Sequence, residues 1–201
     1  MKIFCVGLNY KEHIVEMKHF AFPESPVIFM KPSTALLKNG QPFYYPEFSN
    51  DVHYEGEIVL RVCKNGKKID QKFAHKYYDA FTLGFDFTAR DIQTEQKKKG
   101  WPWEIAKGFD GSAFIGDFIP IEKDKLISFT IKKNNEVVQQ GDTSMLIFSF
   151  DEIIAYISTF FTLQQGDLIY TGTPQGVGPV QIGDTLEGFV EDKSIVTCQI
   201  K

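Results

Sequence analysis

His53-Tyr54-Glu55-Gly56-Glu57-Ile58-Val59-Leu60 is a β-prone run with two carboxylates set into it two residues apart. Residues 52–62 read as one strand, with residues 42–50 as the loop that leads in and Gly66 marking the turn beyond. Side chains alternate along a strand, so Glu55 and Glu57 project from the same face. Gly56 leaves the opposite face bare, as where another element packs closely. Two like charges side by side repel, and away from water one of them holds its proton unless a cation lies between them. Clustered carboxylates suit hard ions such as Mg2+ or Mn2+. The exposed face of an edge strand can carry the same E-x-E spacing, so the pair alone leaves both readings open. Asp86 shifts the balance, because it ends a second apolar, β-prone run, Thr82-Leu83-Gly84-Phe85-Asp86-Phe87, where a solvated carboxylate is out of place. A third carboxylate completes half an octahedron of oxygen ligands and leaves the other positions to water or a bidentate substrate.

Outward from this pair, strands dominate. Residues 3–6 and 27–30 read as strands, the second of them buried, and Pro23, Pro26 and Pro32 impose extended or turning backbone around it. Residues 129–132 and 136–139 flank Asn134-Asn135, a pair tolerant of positive φ, which predicts a hairpin. From Gly166 onward, short β-prone runs punctuated by glycines predict an all-β tail. The helices are few. Residues 9–17 form a polar one, residues 72–80 have helical spacing of Phe73, Tyr77 and Phe81, and residues 90–99 form a third, stopped by Gly100 and Pro102. Lys97, Lys98 and Lys99 read as the solvated last turn of that third helix, where the dipole favours cations. Ser149 and Glu152 have capping-box spacing, and the stripe Ile153, Ile154, Ile157, Phe160 and Phe161 places the helix they open on the core. The pattern is that of a β-rich α+β domain over residues 1–201.

With 201 residues, 43% hydrophobic and 24% charged, the chain has the composition of one globular domain rather than of a disordered segment. A net charge of −4, with one basic run at residues 97–99, argues against a nucleic-acid partner. The 3 cysteines are odd in number and widely spaced, which predicts neither a disulfide framework nor a thiolate zinc site and fits a reducing cytoplasm. No apolar stretch approaches the roughly 20 residues that span a bilayer, and the first seven residues are too short for a signal sequence. A soluble, cytoplasmic protein without a membrane partner is therefore expected.

His13 and Glu16 lie three apart, so on a helix they share a face, and the carboxylate can orient the imidazole and raise its basicity. An ordinary surface pair has the same spacing. His19, His53 and His75 have no comparable partner. Lys107, among apolar or small neighbours, reads either as a partly buried cation facing an anionic substrate or as a snorkelling surface lysine. Thr171-Gly172-Thr173-Pro174-Gln175-Gly176-Val177-Gly178-Pro179 lacks the terminal Lys-Ser/Thr pair of a P-loop, which argues against a nucleotide site. Its glycines let backbone amides approach a small anion such as a carboxylate, although a plain turn needs them as well.

Taken together, these segments resemble the fumarylacetoacetate hydrolase family, and within it the acylpyruvase-like branch. The resemblance runs nearly end to end. It is carried by Val6-Gly7-Leu8-Asn9-Tyr10 with His13 and Glu16, Phe29-Met30-Lys31-Pro32-Ser33, the Glu55-x-Glu57 strand, Asp86-Phe87-Thr88-Ala89-Arg90-Asp91, Gly100-Trp101-Pro102-Trp103 through Lys107, and Thr171-Gly172-Thr173-Pro174. It implies a mixed β-roll of the family's C-terminal domain type, commonly dimeric. Mg2+ or Mn2+ would be held by Glu55, Glu57 and Asp86. The resemblance also implies a water-activating His13–Glu16 dyad on a lid, and contacts from Arg90, Gln93, Lys107 and Thr173 to the carboxylate of a small 2-oxo acid. The activity it implies is hydrolysis of an acylpyruvate to release pyruvate, with Lys107 adding fixed positive charge at the developing enolate. Oxaloacetate decarboxylation and keto–enol tautomerisation use the same enolate chemistry, and a non-catalytic metal-binding protein is a further alternative. Two departures stand out: Leu8 occupies a position where many relatives have arginine, and Gln175 one where lysine is common. Both remove positive charge near the expected site.

Overall fold

The computed structural model describes residues 1–16, 22–122 and 125–201. The single strand expected over residues 52–62 is broken at Glu55. Val52–Tyr54 joins Thr88–Ala89 and Gly178–Pro179 in a three-stranded sheet, whereas Gly56–Val62 lies within an eight-stranded one. Two sheets thus part company at the first glutamate. Alternation survives the break, with Gly56, Ile58 and Leu60 on one face and Glu57 and Val59 on the other.

The eight-stranded sheet runs Val27–Lys31, Ile3–Gly7, Leu168–Tyr170, Gly56–Val62, Tyr78–Asp86, Ala113–Ile115, Leu36–Lys38, with Ile119–Pro120 also paired to Tyr78–Asp86. Ile3–Gly7 with Leu168–Tyr170 and Leu36–Lys38 with Ala113–Ile115 are parallel pairs, and the others are antiparallel. One face carries Ile58, Leu60, Leu83 and Phe85 into the main core. There they share a cluster with Ile131, Leu186 and Val196 of a four-stranded antiparallel sheet, and with Ile153, Ile154 and Ile157 of the Phe150–Phe160 helix. Two glycines set how closely these layers approach. A Cβ on Gly56 would lie 2.5 Å from Ile131 Cγ1, and one on Gly188 would lie 2.5 Å from Val196 Cγ1 and 3.0 Å from Leu83 Cδ1. The bare face expected at Gly56 is therefore filled by the second sheet.

The other face carries a smaller cluster that includes Ile3, Cys5, Val59, Ile115 and Tyr170. The sheet curls around it. Lys31, on the margin strand, donates from Nζ to the carbonyls of Phe87 (3.3 Å), Ser112 (3.0 Å) and Lys107, and its ammonium lies 2.7 Å from Asp86 Oδ1. Ser112 directly precedes Ala113–Ile115, so strands far apart in the sheet order meet across one buried cation. This is the β-rich α+β roll that the sequence and its family resemblance predict.

Several local expectations hold. Arg90–Lys99 is helical and ends on Gly100 at φ +66°, the Ser149–Glu152 capping box forms, and Asn134 and Asn135 turn the hairpin at φ +52° and +70°. Others do not. In place of a helix over residues 72–80 there is a 3-10 segment, Gln71–Lys76, and the chain is already strand from Tyr78, because the ladder to Gly56–Val62 outweighs the spacing of Phe73, Tyr77 and Phe81. Val27–Lys31 is half-buried because it sits at the sheet margin. Phe160 and Phe161, at the far end of the predicted core stripe, are 59% and 38% exposed.

Candidate active site

The antiparallel register between Gly56–Val62 and Tyr78–Asp86 builds the site. Glu57 pairs with Gly84, and the amide of Asp86 donates to the carbonyl of Glu55 at 2.9 Å. Glu55 thus stands opposite Asp86, while Glu57 stands opposite a residue with no side chain. Each of the three buried carboxylates offers an oxygen within 4.8 Å of the others. Strand alternation and one ladder are enough to gather side chains that lie up to 31 residues apart in sequence.

Three cations surround them. Lys107 Nζ donates to Glu55 Oε2 at 2.8 Å and to Asp86 Oδ2 at 2.9 Å, and Arg90 Nη2 donates to Glu55 Oε1 at 2.7 Å. Thr88 Oγ1 donates to the same Glu55 oxygen at 3.2 Å. Lys31 approaches Asp86 from the opposite side, but its three N–H groups are directed at backbone carbonyls, so Asp86 Oδ1 is buried in charge contact without receiving a hydrogen bond. Glu57 accepts the amide of Gly172 at 2.7 Å. Burial, then the charges of Asp86 and Glu55, push the Glu57 carboxyl well above the usual carboxylate range. Burial pulls Lys107 the other way, but Asp86 and Glu55 outweigh it and hold its ammonium above the ordinary lysine value. An all-oxygen donor set whose atoms lie within 4.8 Å of one another, with one carboxylate that burial disfavours as an anion unless a cation lies against it, fits a hard divalent cation.

A cavity of about 260 Å³ opens over the triad. Its apolar wall is carried by Val6, Leu8, Phe29 and Trp103, with Phe29 and Trp103 packed edge to face at 5.9 Å. Lys107 sits 5.3 Å from the centre of the Phe29 ring and also lines the cavity, as a buried cation rather than a snorkelling one. Arg90 and Gln93, one helical turn apart, line the opposite side and are joined by a 2.8 Å hydrogen bond. Thr173 also faces the cavity, but its hydroxyl donates to the Gly56 carbonyl and accepts Gln139 Nε2, both at 2.9 Å. Gln139 in turn accepts the Gly56 amide at 2.9 Å and so fastens the break at Glu55 to the glycine-rich segment.

The anions that this segment meets are the protein's own. Gly172 holds Glu57, and the amide of Gly176 donates to Glu16 at 3.0 Å. Glu16 ends the helix Lys11–Glu16, whereas the side chain of His13 lies outside the described residues, and the expected dyad geometry with it. Sequence reasoning assigned no role to Lys31, whose partners are all distant in the chain. The same reasoning makes Lys97 part of a solvated helix end. That holds for Lys98 and Lys99, which pair with Glu95 at 3.8 and 3.4 Å. Lys97 instead lines the cavity rim, 5.2 Å from the centre of the Trp103 ring. The spacing of Arg90, Gln93 and Lys97 at i, i+3 and i+7 is the signal that places it on the cavity face.

Residues 2–201 match the fumarylacetoacetate (FAA) hydrolase C-terminal family model, and the chain belongs to that family of enzymes. Over 192 residues it is 42% identical to oxaloacetate tautomerase FAHD1, mitochondrial, of Mus musculus, an alignment that covers 94% of this chain and 86% of that one. It is 40% identical over 200 residues to oxaloacetate tautomerase YcgM of Escherichia coli, covering 98% and 91%. Among solved structures it superposes with a TM-score of 0.92, at 34% identity, on fumarylpyruvate hydrolase from Pseudomonas aeruginosa in complex with Mn2+ and pyruvate, covering all of this chain and 89% of that one.

Proposed function

We propose that the protein is a divalent-metal-dependent hydrolase that cleaves a carbon–carbon bond in acylpyruvate-type 2,4-dioxo acids and releases pyruvate. The observation that carries this reading is the convergence of Glu55, Glu57 and Asp86 at the floor of a cavity whose other walls offer Arg90, Gln93 and Lys107. A cation held by the three carboxylates supplies Lewis-acid stabilisation of the enolate oxygens. Arg90 and Gln93 hold the substrate carboxylate, with Thr173 bordering the same cavity, and the apolar wall excludes bulk water. His13, oriented by Glu16, takes a proton from the water that adds to the distal acyl carbonyl. As the carbon–carbon bond breaks, its electron pair leaves on the pyruvate enolate, the acyl part leaves as a carboxylic acid, and the proton taken from water is returned to the enolate carbon to give pyruvate. Lys107 contributes fixed positive charge there, acting mainly in the transition state.

The same reading takes Mg2+ or Mn2+ as the cation, supported by the Mn2+ in the Pseudomonas aeruginosa complex. It takes a homodimer as the assembly and the cytoplasm as the compartment. Among the described residues no helix is long and apolar enough to cross a membrane.

A second reading, oxaloacetate tautomerisation or decarboxylation, is favoured by the names of the 42% and 40% identical relatives. It shares the enolate but needs no attacking water. Assaying His13→Ala against acetylpyruvate and oxaloacetate separates hydrolysis from decarboxylation: hydrolysis of acetylpyruvate should be lost while decarboxylation of oxaloacetate persists. Equal loss on both substrates would sink the distinction. Failure of the wild-type protein to hydrolyse acetylpyruvate with either cation would sink the hydrolase reading.

A further inference from the structure

Arg90 and Lys107 in the cavity, and Lys31 behind it, lie 2.7–2.9 Å from carboxylates of the triad, which neutralise them. Lys97 is different. It lines the same cavity and, although the charge of Glu55 reaches it, makes no ion pair among the described residues, while its neighbours Lys98 and Lys99 are both taken by Glu95. What holds it is the face of Trp103, and a ring face attracts an ammonium without consuming all of its N–H donors. Trp103 is itself fixed by its edge contact with Phe29. Seven residues of helix separate Lys97 from Arg90, about 10 Å along the axis, so the two cations serve different stretches of one cavity face. Leu8 and Phe29 on the wall offer a ligand no charge.

We propose that Lys97 is a specificity-determining residue that receives a second carboxylate of the substrate, so that the preferred substrates are 2-oxo acids with an acid group at each end. The assignment rests on the 2-oxo acid reading above and deepens it. The triad and Arg90 take the 2-oxo carboxylate end, the apolar wall takes the carbon chain, and the lysine's flexible arm closes on the far acid.

Malate and lactate differ by that one carboxylate, and neither has the acyl carbonyl that hydrolysis requires. Calorimetric titration of the Mn2+-loaded full chain should show malate binding on the order of ten-fold more tightly than lactate. Lys97→Met should bring malate to the affinity of lactate and leave lactate unchanged. Lys97→Arg should retain part of the preference, and Lys98→Met all of it. Equal binding of both acids by the wild type, or equal weakening of both by Lys97→Met, would overturn the assignment. If omitting Mn2+ changed neither affinity, the cation reading beneath it would fail instead, and that arm tells the two failures apart.

Discussion

On the outer face of the eight-stranded sheet, Ile58, Leu60 and Leu83 meet Ile131, Leu186 and Val196 of a second sheet, while on the inner face Glu55 and Asp86 meet Lys107 and Lys31. Both contacts are buried, but opposite means hold them together. The outer one depends on shape, with glycines cut to admit neighbouring methyl groups. The inner one depends on charge, with three cations set against three carboxylates, of which Glu57 is disfavoured as an anion. A face that packs by shape is complete on folding. A face that packs by charge can exchange its partners when a charged ligand enters.

The largest test of this contrast is Asp86→Asn, which should lower turnover by roughly three orders of magnitude, about 4 kcal/mol of transition-state stabilisation, in steady-state assays with saturating Mn2+. Lys31→Met comes next. It leaves Asp86 and the carbonyls of Phe87, Lys107 and Ser112 buried without their cation, and should cost about 3–5 kcal/mol of stability in urea unfolding. On the outer face, Gly188→Ala forces a methyl group against Val196 and should cost about 1–3 kcal/mol, with kcat/KM unchanged. A large loss of activity in that variant would mean that the two faces are coupled.

The smallest effect concerns pH. The carboxyl of Glu57 is raised above its ordinary value of 4.5, so in chelator the folded chain keeps a proton there that the unfolded chain releases. Stability of the metal-free protein should therefore fall as pH rises above that value, and Glu57→Gln should flatten the slope. Thermal melts across pH with chelator present check this, and a slope unchanged by Glu57→Gln would contradict it.

Alternation is a local rule and makes the Glu55–Glu57 pair legible, whereas Asp86 reaches that pair only through the ladder between Gly56–Val62 and Tyr78–Asp86, which the family resemblance implies and spacing alone does not. The Ser149 cap, the Asn134-Asn135 turn and the Gly100 stop are legible as the pair is, each decided within a few residues. Lys31 was not legible, because its partners lie 55 to 81 residues away and nothing in Phe29-Met30-Lys31-Pro32 points to them. Lys97 was hidden among three lysines, since which of them faces the cavity depends on how the helix is rotated against the sheet. The helical period of Phe73, Tyr77 and Phe81 misled for the complementary reason: long-range strand pairing overrode a local preference. At Phe160 and Phe161 the apolar stripe outlasts the surface that covers it.

The buried ammonium of Lys31 also has a kinetic meaning. Its contacts join the margin strand to segments made much later in the chain, and they can form only once the curl has brought those strands together. If these contacts close after the rate-limiting barrier, Lys31→Met should speed unfolding and leave the folding rate nearly unchanged in stopped-flow measurements. On that expectation the lysine sets the lifetime of the closed roll more than the speed of its assembly.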